Sequence, residues 1–206
     1  MLKFPIRMVL FDYGNVIARV DHRRFFMNLL GPSLPEEKAT ELVRDCYFGK
    51  HSLGVQFESG TLSFSEFQKR LELFLAQAFS PEVFRDSFNR MFENVPATFQ
   101  LIRELHGVYR LGLLSNTNDV HFEDVIRKIE IFSLFDQVSL SYQVGVMKPD
   151  LRIFQDALAK SGCHAEEILY LDDIEGYVEA GRSMGFQAIC CRQPELVMNS
   201  LRGELL

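Results

Sequence analysis

Asp12, the pair Ser115 and Asn116, Lys148, and the pair Asp172 and Asp173 are the residues of this chain whose types and spacing could do chemistry together. Asp12, Ser115 and Asp172 each stand directly after a short apolar run, and Lys148 follows a weaker run by several residues. Three carboxylates brought to one place repel each other and hold raised pKa values unless a cation lies among them. Mg²⁺ suits such a place, because it takes hard oxygen ligands and shares its shell between carboxylates and a substrate phosphate. Lys148 adds a compact positive charge for an anion. The Ser115 hydroxyl and the backbone amides around Asn116 are donors for phosphate oxygens. Together these groups would form a phosphoryl-transfer site, with Asp12 as a nucleophile that accepts phosphorus as an aspartyl-phosphate.

The elements that must position them are legible as apolar runs over residues 8–11, 111–114, 138–141, 168–171 and 187–191. Runs apolar on both faces suit parallel strands covered by helices on each side. Helical periodicity lies between them. Pro96 opens one helix whose Phe99, Ile102, Leu105 and His106 share a face, Pro149 opens a second with Ile153, Phe154 and Leu158 inward, and a third runs over 178–184. Alternating helix and strand predicts an α/β fold, a doubly wound, Rossmann-like parallel sheet, with ligands bound beyond the carboxyl ends of the strands. Residues 18–94 read differently: helical throughout, with no strand. Ser63 and Glu66 form a capping box, and Ser80 with Pro81 starts another helix. The predicted organisation is therefore a catalytic core of residues 1–17 and 95–206, with an α-helical cap of residues 18–94 inserted after the first strand.

Bulk properties narrow the partners. A 206-residue chain buries roughly 70% of its unfolded surface and needs no staples. Its 22 basic and 28 acidic residues give a net charge of −6, which disfavours nucleic-acid or membrane-surface binding, since both need a dense basic face. The N-terminus lacks the apolar stretch of a signal peptide and no run is long enough to span a bilayer. The expectation is a cytoplasmic monomer or homodimer acting on a small molecule. The four cysteines, Cys46, Cys163, Cys190 and Cys191, are too few and irregular for a disulfide framework and read as small apolar side chains. The chain has 19 Phe and no Trp, and eleven of those phenylalanines fall in residues 18–94, as a lid with its own small core requires.

The motifs also resemble those of the haloacid dehalogenase-like (HAD) hydrolases, in order and over nearly the whole chain. The first is Phe-Asp-Tyr-Gly-Asn-Val-Ile at 11–17, the second Leu-Ser-Asn-Thr at 114–117 and the third Gly-Val-Met-Lys-Pro-Asp at 145–150. The fourth is Tyr-Leu-Asp-Asp at 170–173, leading to Glu-Ala-Gly-Arg-Ser-Met-Gly at 179–185. Within the family, the chain is most similar to bacterial sugar-phosphate phosphatases of the glucose-1-phosphate type and to the phosphatase domain of soluble epoxide hydrolases. The resemblance implies Asp12, Lys148 and Ser115 as catalytic residues. Ser115, Asn116 and Lys148 would bind the phosphate, and Mg²⁺ would be held by Asp12, the carbonyl of Gly14, Asp173 and Asp172, the last either as ligand or as a group orienting its neighbours. It implies hydrolysis of a small phosphorylated metabolite, such as a sugar phosphate.

One position departs from that family. Most of its phosphatases place a second aspartate, the acid that protonates the leaving alcohol, where this chain has Gly14. Two other readings follow: a metal-independent 2-haloacid dehalogenase, and a catalytically weak regulatory member. If the chain is a phosphatase, it needs either a leaving group stable without a proton, such as an anomeric or aryl phosphate, or another donor such as water or Asp21. His22, Arg23 and Arg24 follow Asp21 at the start of the cap, and Arg24 is the candidate for contacting an anionic substrate. Asn15 fits a left-handed backbone position. The histidines, His22, His51, His106, His121 and His164, show no ligand spacing. One or two of Phe25, Phe26, Tyr47 and Phe48 are expected to line the pocket.

Overall fold

The computed structural model describes residues 5–48 and 52–206. Residues 1–4 and His51, on which readings above touch, lie outside the described residues. The core elements are β1 (Met8–Phe11), then, beyond a stretch holding β2 (Ala18–Val20), α1 (His22–Leu30), α2 (Glu36–Cys46), α3 (Leu53–Glu58), α4 (Phe64–Leu75), α5 (Pro81–Asn89) and β3 (Phe92–Asn94), the series α6 (Pro96–Leu105), β4 (Arg110–Ser115), α7 (Asp119–Asp124), β5 (Gln137–Leu140), α8 (Ser141–Val144), α9 (Leu151–Ser161), β6 (Ile168–Asp172), α10 (Glu175–Ser183), β7 (Gln187–Cys190) and α11 (Pro194–Leu205). Five strands pair in parallel in the order β5-β4-β1-β6-β7. Every residue of β1 and β6 is buried, as their unbroken apolar runs require of strands covered on both faces. The sheet is the expected α/β Rossmann-like layer, with β1 central between β4 and β6. Asp12, Ser115 and Asp172 therefore end three neighbouring strands at one sheet edge.

One face of the sheet packs Phe99, Ile102 and Leu105 of α6 with Met198, Leu201 and Leu205 of α11. The other packs Ile153, Phe154 and Ala157 of α9 around Tyr170. The segment between β1 and α6 has a separate apolar cluster in which Phe25, Phe26, Phe57, Phe67, Phe84 and Phe88 are buried, the Phe57 and Phe67 rings stacked at 4.8 Å. Ser63 accepts from the Glu66 amide while Glu66 accepts from the Ser63 amide, closing the expected capping box of α4. Ser80 caps α5 with Pro81 in its first turn.

Several sequence expectations are corrected. Residues 18–94 are not helical throughout: β2 and β3 form a short antiparallel ribbon, Ala18 opposite Asn94 and Val20 opposite Phe92. Three-residue strands are too short to show a period of two, so nothing in the pattern marks them. Pro149 does not open α9. Asp150 caps that helix, its carboxylate accepting from the Arg152 amide at 3.0 Å, so the helix starts beyond the proline. The third helix begins earlier than position 178, at Glu175. His106 caps the C-terminus of α6 but turns outward and is exposed. All four cysteines are free, and Cys191 is buried, but Cys190 is only partly so.

Candidate active site

A cavity of about 230 Å³ lies between the strand ends and the cap. Asp12, Gly14, Asn15, Ser115, Asn116, Lys148, Asp173 and Tyr177 line it from the core, and His22, Tyr47, Phe48, Val55 and Glu58 line it from the cap. At its floor Lys148, 2% exposed, lies between two carboxylates. Its Nζ is 2.8 Å from Asp12 and 2.6 Å from Asp172, and donates to the Leu114 carbonyl at 3.1 Å. Burial alone would lower the lysine pKa, but the two carboxylates outweigh it and the ammonium is held charged above its ordinary range. The loop that carries Lys148 is fixed by Asn116, whose amide oxygen accepts from the Lys148 amide at 2.7 Å and whose NH₂ donates to the Lys148 carbonyl at 3.2 Å. The Asn116 side chain thus positions Lys148 and is not free for phosphate.

Burial pushes the Asp12 carboxyl up to about 7; Lys148 works against this, while Asp172 and Asp173 add to it. Carboxylate oxygens of Asp12, Asp172 and Asp173 all lie within 4.8 Å of one another. Three hard anionic oxygens around one ammonium leave excess negative charge, and a divalent cation would remove it. The donor set therefore fits Mg²⁺. The carboxylates are not equivalent. Asp172 is fully buried, its Oδ2 accepting from Lys148 and the Tyr170 hydroxyl and its Oδ1 from the Ile174 amide at 2.8 Å. Asp173 is partly exposed to the cavity and accepts from Asn15 Nδ2 at 3.0 Å. Asn15 has φ 55°, the left-handed conformation expected of it, and this turns its side chain onto Asp173.

Gly14 has no positive φ, and a Cβ placed on it would meet Val20 Cγ2 at 3.5 Å and Asp12 Oδ2 at 4.0 Å. The backbone therefore does not demand glycine there, and a side chain would start close to the Asp12 carboxylate. Neither Asp21, the substitute acid suggested by position, nor Arg24, the candidate substrate contact, lines the cavity. Asp21 caps α1, accepting from the Arg23 amide at 3.0 Å, and its bond to the Arg23 side chain holds its carboxyl below the ordinary range, against a smaller effect of burial. It is a poor acid at neutral pH. Arg24 is exposed outside the cavity, paired with Glu93 at 3.4 Å and Asp21 at 3.9 Å, while Arg23 pairs with Asp21 and Glu36. Only His22 of that trio lines the cavity, and burial lowers its pKa to about 4, so it is neutral. Of the four candidate cap aromatics, Tyr47 and Phe48 line the cavity, while Phe25 and Phe26 pack the cap's interior.

Glu58, which the sequence did not single out, ends α3 at the cavity wall. Tyr47 donates its hydroxyl to Glu58 Oε1 at 3.0 Å. The ring of Tyr47 lies so close to α3 that a Cβ on Gly54 would sit 2.6 Å from it. Behind Glu58, Ser141 Oγ donates to the Glu58 carbonyl and accepts from the Thr117 amide at 2.9 Å. Gly60, at φ 73°, lies against the Tyr142 carbonyl, where a Cβ would come within 2.5 Å.

His121 forms a further stretch of wall. Its ring stacks on Phe88 of the cap at 3.9 Å, Nδ1 accepts from Asn118 Nδ2 at 3.0 Å, and Nε2 donates to the Phe88 carbonyl at 3.2 Å. Burial pushes its pKa down to about 3, against a small opposing effect of the Phe88 carbonyl. The unfolded chain has an ordinary histidine near 6.5, so unfolding takes up a proton between the two values. The contribution of His121 to stability is complete above about pH 6.5 and is lost progressively as pH falls toward 3. Relative to His121→Gln, the wild type is expected to lose about 2 kcal/mol of stability between pH 7 and 5, read from urea midpoints. A constant difference across that range would mean that His121 is not held neutral.

A parallel α/β sheet with these groups at its carboxyl edge defines a class of hydrolase. The family model for the haloacid dehalogenase-like hydrolases matches residues 6–185, and the chain belongs to that family. A D-ribitol-5-phosphate phosphatase of Bacteroides thetaiotaomicron is 28% identical, with 92% of each chain covered. The structure of a predicted HAD-like family hydrolase from Porphyromonas gingivalis superposes with a TM-score of 0.74 at 27% identity, covering 96% of this chain and 98% of that one. A HAD family enzyme of B. thetaiotaomicron in complex with magnesium and inorganic phosphate shares the fold at a TM-score of 0.77 and 22% identity, covering 90% and 93%. No helix among the described residues is long and apolar enough to cross a membrane.

Proposed function

We propose that this chain is a Mg²⁺-dependent phosphatase that hydrolyses a small phosphorylated metabolite through an aspartyl-phosphate on Asp12. The observation that carries the reading is the Lys148 ammonium held between Asp12 and Asp172 at the floor of a cavity between core and cap, with Asp173 beside it. The similarity to a D-ribitol-5-phosphate phosphatase and the small cavity favour a sugar or polyol phosphate.

Lys148 and the Ser115 hydroxyl receive the phosphate oxygens and hold phosphorus over Asp12. One Asp12 oxygen attacks in line, and Lys148 stabilises the charge on the equatorial oxygens. Asp12, the Gly14 carbonyl and Asp173 would hold the Mg²⁺, which when bound adds a second positive charge at those oxygens. Asp172 is already committed to Lys148, Tyr170 and the Ile174 amide, so its part is to fix Lys148 and not to ligate.

The test is phosphate release across a panel of phosphorylated sugars, polyols and acids, with and without EDTA. Turnover that stops in EDTA and returns with added Mg²⁺ is the expected result. Halide release from 2-haloacids that survives EDTA would establish the dehalogenase reading in its place.

A further inference from the structure

We propose that Glu58, from the cap, is the general acid and base of this site, in the role left open by glycine at position 14. The proposal rests on the phosphatase reading and assigns one step of it. Glu58 lines the cavity that holds Asp12, and the charges of Asp12 and Lys148 both act on its carboxyl. Its side chain is positioned, not loose: the Tyr47 hydroxyl holds one oxygen, Gly54 admits the Tyr47 ring against α3, and Ser141 ties its backbone to the loop after β4. Tyr47 is buried, with a pKa raised well above its ordinary value by burial and by Glu58, so it stays a donor. The titratable and charged groups facing Glu58 are Tyr47 from the cap and Asp12, Lys148 and Tyr177 from the core. Burial raises the Glu58 carboxyl to about 7, with Tyr47 and Lys148 opposing and Asp12 adding. Near neutrality it is thus able both to give and to take a proton.

In the first step an Asp12 oxygen forms a bond to phosphorus as the bond from phosphorus to the alcohol oxygen breaks. That oxygen keeps the electron pair and takes the Glu58 proton, and a neutral alcohol leaves. In the second step water forms a bond to phosphorus and gives a proton to the Glu58 carboxylate. The bond to Asp12 breaks, and inorganic phosphate leaves with both residues restored. A proton delivered from the cap frees the enzyme from the need for an activated leaving group. The substrate class is then phosphate monoesters of ordinary alcohols, such as primary sugar and polyol phosphates. Because Glu58 is held across Ser141 and the contact of Gly60 with Tyr142, the donor is in place only when the cap sits on the core.

The experiment compares wild type and Glu58→Gln on a polyol phosphate and on p-nitrophenyl phosphate, whose phenolate leaves without a proton. The expected result is a kcat loss of about 10²–10⁴-fold on the polyol ester and a much smaller loss on the aryl ester. Installing Gly14→Asp in the Glu58→Gln protein is expected to recover part of the polyol activity, because the added side chain would start close to the Asp12 carboxylate. Tyr47→Phe removes a bond that favours the Glu58 carboxylate, so the basic limb of the kcat profile should move to higher pH. That measurement stands even if Glu58→Gln fails to fold. Equal losses on the two esters, no loss on either, or an unmoved limb in Tyr47→Phe would overturn the assignment while leaving the phosphatase reading intact. A wild-type protein that cleaves neither ester in Mg²⁺ would remove that reading, and the assignment with it.

Discussion

Lys148→Met is expected to lower the stability of the metal-free protein by about 3–5 kcal/mol, the cost of leaving a buried partner charge uncompensated. The substitution keeps the stem and removes the ammonium that lies 2.8 Å from Asp12 and 2.6 Å from Asp172. Asp172 is fully buried and cannot turn to water. It keeps only the Tyr170 hydroxyl and the Ile174 amide, which are too little for a full negative charge in that environment. Two further expectations separate this electrostatic cause from lost packing. Mg²⁺ should restore part of the stability, since it neutralises the same cluster. Adding Asp172→Asn to Lys148→Met should restore part of it without metal, because the carboxylate that lost its partner is then neutral. Urea midpoints for the three proteins, with and without Mg²⁺, provide the check. A Lys148→Met midpoint equal to that of the wild type would show that the buried pair contributes nothing. Phosphate turnover should be lost alongside, since methionine offers no charge to the transferring group.

The same cluster shows what the sequence could and could not reveal. Asp12, Ser115 and Asp172 were legible because a parallel strand and the residue after it are contiguous, so one apolar run both predicts the strand and locates the group at its end. Lys148 follows β5 by a short helix, and the order of motifs was needed to bring it in. Asn15 was legible as a left-handed residue, but its bond to Asp173, 158 positions away, was not. Arg24 failed for the complementary reason. It is near the strand end in sequence, but α1 turns it outward, to Glu93 of the cap-base ribbon. Glu58 shows the limit most clearly. It reaches the site only because the cap folds back on the core, and the contacts that place it run from Tyr47 and Ser141, elements far apart along the chain. No local periodicity encodes that closure. The signal available was weak: a glutamate at the end of an apolar helical stretch, two residues before a glycine. The ribbon of β2 and β3 escaped for a different reason, since three residues per strand cannot show alternation.

Asp12→Asn is expected to reduce turnover by on the order of 10⁴–10⁶-fold, the scale for removal of a covalent nucleophile. The amide is nearly isosteric. Its oxygen can still accept from the Tyr13 amide, which lies 2.7 Å from the Asp12 carboxylate, and from Lys148, so the fold and the substrate contacts of Lys148 and Ser115 should survive. Stability should respond in the opposite sense to activity. In the wild type without metal, Asp12, Asp172 and Asp173 crowd one ammonium, and burial with like charges raises the Asp12 carboxyl. The amide removes one of those charges while Lys148 keeps Asp172. The metal-free variant should therefore be at least as stable as the wild type, and Mg²⁺ should raise its Tm by less than it raises that of the wild type, because one anionic ligand is gone. Rapid quench with labelled substrate should trap a phosphorylated protein in the wild type and none in the variant. This combination sets a lost nucleophile apart from a damaged fold, which would lower Tm and activity together. Turnover within tenfold of the wild type would exclude Asp12 as the attacking group.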